Sequence, residues 1–205
     1  FAGFSTPFGR QTTPPGAAVR NSGSVSYQLG NETRVVTSNE VTLVVEPAPT
    51  RASLSLERYA AGSTQTTTAG PTSCRLGNGF VALAPPSVAA VGSIDPLVAV
   101  PLATASVAHA GDALFVRIED ADQNRDSAQI ETLQVSLAAR VTGDAKLLRL
   151  SETGPDTGVF VGYVATRVAS GASADCTLNV DRNSSITAYY VDSHDSSDKA
   201  DATAL

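Results

Sequence analysis

The segment "ETLQVSLAAR" (131–140) alternates apolar and polar residues, and "AKLLRLSE" (145–152) repeats the alternation after a short gap. Neighbouring side chains of a β-strand point to opposite faces of a sheet, so a period of two predicts half-buried strands. Further strands are predicted at 105–110, 113–120, 158–168, 176–180 and 185–192. Seven short strands at this spacing, without a helical period in any window, predict an immunoglobulin-like β-sandwich.

The N-terminal part of the chain shows the same alternation. Strands are predicted at 24–30, 32–38, 40–47 and 52–59, followed by a Thr-rich stretch at 60–73 that is typical of a linker or an exposed loop. We therefore expect two domains, an N-terminal β domain at 1–72 and an immunoglobulin-like sandwich at 73–205. The predicted fold class is all-β, with tandem immunoglobulin-like antiparallel β-sandwiches.

Alternation within the second domain also predicts its core. The residues expected to face inward are Phe115, Leu133, Val135, Leu148, Leu150, Phe160, Tyr163, Ile186 and Tyr189. The apolar stretch from Phe80 to Pro101 is interrupted by Pro, which favours an extended segment packed along the sandwich over a central strand.

Composition and charge exclude several classes of protein. The 205 residues are 42% hydrophobic and 17% charged, with a net charge of −6. A net negative chain lacks the basic surface that nucleic acids and anionic membranes attract, and no apolar run is long enough to span a bilayer. We expect an extracellular protein.

The chain has only two cysteines, Cys74 and Cys176, and no methionine. A single cysteine pair in a composition typical of exported proteins predicts one disulfide, although two unpaired buried thiols would fit as well. The chain opens on "FAGFSTPFG", which suggests a mature end after signal removal or an excised fragment. Phe1, Phe4 and Phe8 either pack on their own domain or form an assembly segment that contacts a neighbouring subunit.

Oxygen-bearing side chains alternate along "DADQNRD" (120–126). Asp120, Asp122, Asn124, Asp126 and Glu131 occupy the ligand spacing of an EF-hand loop, but Arg125 stands where that loop requires Gly. The sequence therefore predicts a calcium-binding loop between two strands, not an EF-hand. The alternative is that these residues are turn formers whose side chains bond to nearby backbone.

An immunoglobulin strand order adds neighbours to this loop. The loop at 151–158 would lie at the same end, bringing Glu152 and Asp156 to the Asp row. A second possible metal loop would lie at the opposite end, formed by Asp112, Asp192, Asp195 and Asp198. We expect calcium as the only cofactor, in up to two clusters.

Sequence support for catalysis is weak. The chain has two histidines, and the Ser-His-Asp combination in "DSHDSSD" (192–198) lacks a G-x-S-x-G nucleophile motif. The chain also has no Trp, and aromatic residues make up 5% of it, so an aromatic sugar-binding surface is not expected. We predict that the protein is not an enzyme.

Two segments resemble known families. The pieces "VRNSGSVSY" and "TSNEVTLVV" resemble the repeat of large bacterial cell-surface proteins often called DUF11. "AGDALFVRIEDADQNRD" and "LRLSETGPDTGVFVGYVAT" resemble a β-sandwich module of surface-layer and giant surface proteins, with its D-x-D-x-N-x-D and ETGxxTGxF motifs. Together the resemblances cover more than half the chain, and they imply a structural or adhesive protein.

The expected function is that of an exported bacterial cell-surface structural protein, a component of a surface layer, sheath or fibre that self-assembles through its sandwich modules. The alternative is the stalk or ligand-binding module of an adhesin. The expected partners are copies of the same chain or other cell-surface components. The expected location is extracellular, at the bacterial cell surface or the exterior of the outer membrane.

Overall fold

A computed structural model describes residues 13–205, and over these residues the regular secondary structure is β-strand apart from one short 3-10 helix, Ala121–Gln123. The all-β prediction is confirmed. The predicted assembly segment of Phe1, Phe4 and Phe8 lies outside the described residues. No helix within residues 13–205 is long and apolar enough to cross a membrane.

Twelve strands form one large sheet. They are β5 (Ser53–Tyr59), β6 (Thr66–Thr67), β7 (Ser73–Leu76), β8 (Gly79–Ala82), β11 (Val100–Thr104), β12 (Ala113–Glu119), β13 (Thr132–Ala139), β14 (Ala145–Glu152), β15 (Val159–Val168), β16 (Thr177–Val180), β17 (Ile186–Val191) and β18 (Lys199–Ala204). A separate short hairpin joins β9 (Ser87–Val88) to β10 (Gly92–Ser93).

The large sheet has the order β18-β17-β13-β14-β15-β12-β5-β11-β6, and β7 also pairs with β14. β14 meets β15 over only two residue pairs, while β18 lies in contact with β5. The sheet therefore folds over at the β14–β15 pairing and encloses a core. The pairs in this order are antiparallel. β16 also pairs with β15, and these two strands run parallel.

The main core fills the space that the folded sheet encloses. Strand β13 alternates exposed and buried residues along its length, as the period of two predicts. Tyr189 is the exception among the predicted core residues, because it is 43% exposed while Tyr190 is 2% exposed. The expectation for Tyr189 was wrong for a geometric reason: Ile186 is buried, and a residue three positions away faces the other side of the strand.

A second core lies on the opposite face of β5, β11, β12 and β15. Val100, Leu102, Phe115, Val161 and Tyr163 form it. Leu83 and Ile94 from the Pro-interrupted stretch pack against it, so the middle of that stretch covers the sheet, whereas its two ends pair within the sheet in β8 and β11. Because both of their faces are covered, β12 and β15 are buried in nearly continuous runs rather than alternately.

The large sheet crosses the domain boundary predicted at residues 72 and 73. β5 lies between β11 and β12, so residues 53–59 pair with strands of the predicted second domain. The Thr-rich stretch at 60–73 is not a free linker, because β6 pairs with β11 and both Ala69 and Thr72 are buried. Apolar alternation identifies a strand but not the sheet to which it belongs.

Residues 18–44 form a two-stranded ribbon apart from the large sheet. β1 (Ala18–Asn21) pairs with β4 (Val41–Val44), and β2 (Ser24–Leu29) pairs with β3 (Glu32–Thr37). Gly23 and Ser38 connect the two pairings through a backbone hydrogen bond of 2.8 Å. Every residue of these four strands is exposed. We refer to residues 18–44 as the ribbon.

The predicted disulfide between Cys74 and Cys176 is present, with a Cα–Cα distance of 5.8 Å. Cys74 is in β7, and Cys176 directly precedes β16. Because β7 pairs with β14 and β16 pairs with β15, the bond links the two halves of the folded sheet. A disulfide is typical of proteins that leave the reducing cytosol.

Glu57 is a carboxylate buried within β5. It is 2% exposed, and its Oε2 atom has no hydrogen-bond partner among the described residues. Burial raises its pKa, and the charge of Glu119 adds to the rise, while Arg117 and a hydrogen bond from Ser55 oppose it. The folded state therefore favours the protonated form, and its stability decreases as pH rises through this elevated pKa.

We expect Glu57→Gln to raise the free energy of unfolding by about 1 kcal/mol at pH 8, because it removes a buried charge, and to change it little at pH 4. Urea unfolding followed by circular dichroism at both pH values measures this difference. The control is Glu32→Gln in the ribbon, whose exposed carboxylate should show no such pH dependence. A destabilised Glu57→Gln protein at pH 8 would contradict the expectation.

Candidate metal centre

Three loops meet at the end of the sandwich where β12 ends. The backbone N–H of Asp120 donates to the carbonyl of Gly158 at 2.8 Å, and the Asn124 side chain donates to Asp156 Oδ1 at 2.7 Å. The loops at 120–128 and 151–158 therefore lie together, as the sequence predicts. The third loop, at 192–198, is joined to them by a hydrogen bond of 2.7 Å from Gln123 Nε2 to Asp192 Oδ1.

Asp120 is the most enclosed carboxylate at this end and is 1% exposed. Its Oδ2 accepts a hydrogen bond of 2.7 Å from the Tyr190 hydroxyl, and its Oδ1 is buried without a partner among the described residues. Burial raises the pKa of Asp120 to about 7, and the neighbouring Asp122 and Asp192 charges contribute. This carboxylate is held where water cannot solvate its charge.

Asp120, Asp192 and Asp198 each place a carboxylate oxygen within 4.8 Å of the others. We refer to these three residues as the Asp trio. Asp192 is 3% exposed, and its Oδ1 also accepts the backbone N–H of His194 at 2.6 Å. Within residues 13–205, no Lys or Arg forms a salt bridge with the trio. In the part of the chain that the structure describes, His194, with its Nδ1 at 3.7 Å from Asp192 Oδ1, is therefore the nearest basic side chain in an ion-pair contact with the trio.

The trio corrects the predicted second metal loop, which grouped Asp192, Asp195 and Asp198 with Asp112. Asp112 lies at the opposite end of β12, where its Oδ1 accepts the backbone N–H of Ala89 at 2.7 Å. The prediction assumed that consecutive strands are antiparallel. Since β16 instead runs parallel to β15, every later strand is reversed relative to that assumption, and β17 ends beside Asp120.

Asp195 also stands apart from the trio. It is exposed, and its Oδ1 accepts hydrogen bonds from the backbone N–H and the hydroxyl of Ser197. These bonds lower the pKa of Asp195. The residue forms a local turn, which is the alternative that the sequence left open for acidic loop residues.

Two glutamates of the predicted first site instead bind backbone. Glu131 Oε1 accepts the N–H groups of Arg125 and Asp126, while Glu152 Oε1 accepts those of Thr157 and Gly158. Burial and the proximity of Glu152 raise the pKa of Glu131, whose Oε2 has no partner among the described residues. These side chains hold the shapes of the two loops.

The remaining members of the predicted row are divided between two roles. Asp126 Oδ1 accepts the N–H of Ala128 at 3.0 Å and closes a turn. Asp122 lies next to Asp120, and its Oδ1 is buried without a partner among the described residues. Of the EF-hand-like spacing, Asp120 therefore belongs to the Asp trio, and Asp122 lies beside Asp120.

The segment between the ribbon and the large sheet passes over these carboxylates. We call residues 45–52 the connector. Asp122 Oδ2 accepts the N–H of Thr50 at 2.7 Å, and Asp198 Oδ2 accepts the N–H of Ala52 at 2.8 Å. Arg125 forms an ion pair of 3.0 Å with Glu46. A cavity of about 190 Å³ separates part of the connector from Asp122, Asp192 and Asp195.

His194 does not complete a catalytic triad. Its Nδ1 lies 3.0 Å from Ser193 Oγ and 3.7 Å from Asp192 Oδ1. A triad requires the Ser and the Asp at different nitrogens of the imidazole, so that one nitrogen takes a proton while the other is oriented. Here both partners lie at the same nitrogen, and the arrangement cannot relay a proton in that way.

Carboxylate oxygens are the ligands that hard cations such as Ca²⁺ prefer. The Asp trio and Asp122 combine clustered carboxylates with two buried oxygens, Oδ1 of Asp120 and Oδ1 of Asp122, that have no partner among the described residues. Sequence reasoning missed this grouping. The spacing in "DADQNRD" identifies Asp120 and Asp122, but their union with Asp192 and Asp198 depends on the strand order.

No protein-family model matches this chain, and a search of curated proteins finds no sequence relative. By its fold and site, the chain is an all-β, disulfide-linked sandwich with an exposed two-stranded ribbon. An acidic cluster lies beneath the connector that joins the two. The resemblances to the DUF11 repeat and to surface-layer modules stay predictions.

Proposed function

We propose that this chain is an exported bacterial cell-surface structural protein, a component of a surface layer, sheath or fibre, that self-assembles through its β modules. The observation that carries the proposal is the ribbon, whose β2–β3 hairpin exposes four large apolar side chains on one face. Monomeric proteins rarely expose contiguous apolar patches unless these serve in binding.

The apolar face follows from the register of β2 and β3. Val25 pairs with Val36, Tyr27 with Arg34 and Leu29 with Glu32, and paired residues of antiparallel strands share a face. The exposed ion pair of Arg34 with Glu32 therefore lies beside the apolar side chains on this face. Val25, Val36 and Leu29 are each more than half exposed on this face, and Tyr27 is 47% exposed. The opposite face carries Val35 among mostly polar residues: Ser24, Ser26, Gln28, Thr33 and Thr37.

A second copy of the ribbon is the occupant that fits this face. An isolated two-stranded hairpin is marginally stable in water, and burying one Val or Leu side chain contributes about 1.5–3 kcal/mol. Two ribbons packed through Val25, Tyr27, Leu29 and Val36 would form a small sandwich, with the ion pair of Arg34 and Glu32 beside the contact and the opposite faces in solvent. Such a contact uses the same surface on both chains, which is the self-complementarity that symmetric association requires.

The rest of the molecule supports a structural role outside the cell. The Cys74–Cys176 disulfide suits an oxidising compartment. The chain has a low charged fraction and a net charge of −6, which favours neither nucleic acid nor an anionic membrane. The proposed role is mechanical.

We expect the double variant V25K/V36E to abolish self-association of the protein. The two new charges lie opposite each other and can pair across the ribbon, so the hairpin is retained while the apolar face is lost. Sedimentation velocity at protein concentrations of roughly 10–200 μM, which detects micromolar dissociation constants, measures association. Negative-stain electron microscopy of the same samples tests for sheets or fibres.

The matched control is S26K/V35E, which places the same charge pair at the adjacent register position on the opposite face. It should associate like the unmodified protein. An unmodified protein that stays monomeric across the whole range would overturn the proposal. Equal loss of association in both double variants would show that the apolar face is not the contact.

A further inference from the structure

We propose that the Asp trio, together with Asp122, binds one Ca²⁺ ion, and that this ion fixes the connector and with it the position of the ribbon on the sandwich. The proposal concerns ligand binding by a single chain and does not depend on self-association. It rests on the burial and the unpartnered oxygens of these carboxylates, on their charge, and on their contacts with the connector.

The buried carboxylates at this end require a cation. Three carboxylate oxygens lie within 4.8 Å of one another, and Asp120 is only 1% exposed. Oδ1 of Asp120 and Oδ1 of Asp122 are both buried and have no partner among the described residues. Buried acceptors in native proteins nearly always have a donor or an ion, and a cation would satisfy both atoms.

The ligand types and their geometry favour Ca²⁺ over zinc and Mg²⁺. The clustered ligands Asp120, Asp192 and Asp198, with Asp122 beside Asp120, are all carboxylates, unlike the thiolate and imidazole sets that zinc prefers. Ca²⁺ takes about six to eight oxygens in flexible geometry, whereas Mg²⁺ demands a near-ideal octahedron. Ligands from two irregular loops, completed by water from the adjacent cavity, suit Ca²⁺ better.

Two of the carboxylates also bind the connector. Asp122 and Asp198 use their Oδ2 atoms to accept the N–H groups of Thr50 and Ala52. Each carboxylate can therefore hold the connector with one oxygen and the ion with the other. Without the ion, repulsion among the carboxylates opposes the same arrangement. Binding of Ca²⁺ should thus tighten the segment from which the ribbon extends.

Calorimetric titration of the EGTA-treated protein with CaCl₂ alone tests the site. We expect one ion to bind per chain and the melting temperature to rise with Ca²⁺ concentration, because the ion binds only the folded state. Asp192→Asn should weaken Ca²⁺ binding at least tenfold. The control Asp201→Asn, an exposed carboxylate in β18 outside the trio, should bind Ca²⁺ normally.

Limited proteolysis with trypsin tests the coupling. Cleavage after the exposed Arg51 requires release of the Ala52 N–H from Asp198, so Ca²⁺ should slow cleavage there severalfold. Cleavage after Arg34 in the ribbon serves as the reference within the same digest, because its rate should not change. Asp192→Asn should lose the protection at Arg51 while the Arg34 rate stays the same.

Each alternative outcome overturns a defined part of the proposal. Absence of binding heat and of a melting shift up to about 10 mM Ca²⁺, a concentration beyond the weak extracellular range, would overturn the site. Unchanged Ca²⁺ affinity in both Asp192→Asn and Asp198→Asn, with folding verified by circular dichroism, would overturn the ligand set. Binding without protection at Arg51 would overturn the coupling to the connector.

Discussion

Replacing Cys74 and Cys176 together by Ala is expected to lower the free energy of unfolding by about 4–5 kcal/mol. The two residues are 102 positions apart, and a cross-link that closes a loop of about 100 residues restricts the unfolded chain by roughly this amount. The bond also joins the two halves of the folded sheet through β7 and the start of β16. The loss should therefore affect the whole sandwich.

Urea unfolding of the oxidised protein, the dithiothreitol-treated protein and the double Ala variant measures the effect. The last two should coincide, and dithiothreitol should not change the Ala variant. A loss below about 1 kcal/mol, far under the loop-closure expectation, would show that the unfolded chain is not restrained by this bond.

The second large effect is expected from Asp144→Ala, which should lower the free energy of unfolding by about 3–5 kcal/mol because it leaves a buried cation unpaired. Asp144 and Lys146 are 1% and 5% exposed, and Lys146 Nζ donates to Asp144 Oδ1 at 2.7 Å. Asp144 Oδ2 also accepts the backbone N–H of Asn179 at 2.7 Å. These bonds lower the pKa of Asp144 despite its burial.

The control for this variant is Glu119→Ala, which removes an exposed partner of Arg117. Surface ion pairs typically contribute less than about 1 kcal/mol, so this change should be small. Urea unfolding at pH 7 compares the two variants. Equal losses of unfolding free energy in the two variants would show that the buried pair of Asp144 and Lys146 contributes no more to stability than an exposed ion pair.

Much of the fold was predictable because strand formation leaves a local signal. The alternation in residues 131–140 and 145–152 matches β13 and β14 closely, and each strand buries the residues that the pattern indicated. The interpretation of residues 158–168 as a strand was also correct. The failure at Tyr189 came from combining Ile186 and Tyr189 on one face, which a period of two does not allow.

The domain boundary shows where local signals end. The Thr-rich stretch at 60–73 has the composition of a linker, yet β6 within it pairs with β11. What assigns residues 53–59 to the large sheet is pairing with β11 and β12, strands that begin more than 40 residues later in the chain. No composition within the stretch reports such a pairing.

The candidate site was half predictable for the same reason. Alternation placed Asp120 and Asp122 at the end of a strand, and the turn sequence around Gly158 brought Asp156 to the same end. Glu131 and Glu152 lie nearby as expected, but they bind backbone N–H groups of the loops. The contributions of Asp192 and Asp198 were assigned to the wrong end because the parallel pairing of β16 has no signature in the spacing of residues.

The sequence by itself determined the all-β class, the positions of the main strands and the pair of cysteines that could bond, because these depend on residue type and on neighbours along the chain. Only the tertiary structure decided which carboxylates share a site, which strands share a sheet and which apolar residues of the ribbon are left exposed. These properties depend on strand order and direction, which pairings between distant segments set and which the period of a single strand cannot encode.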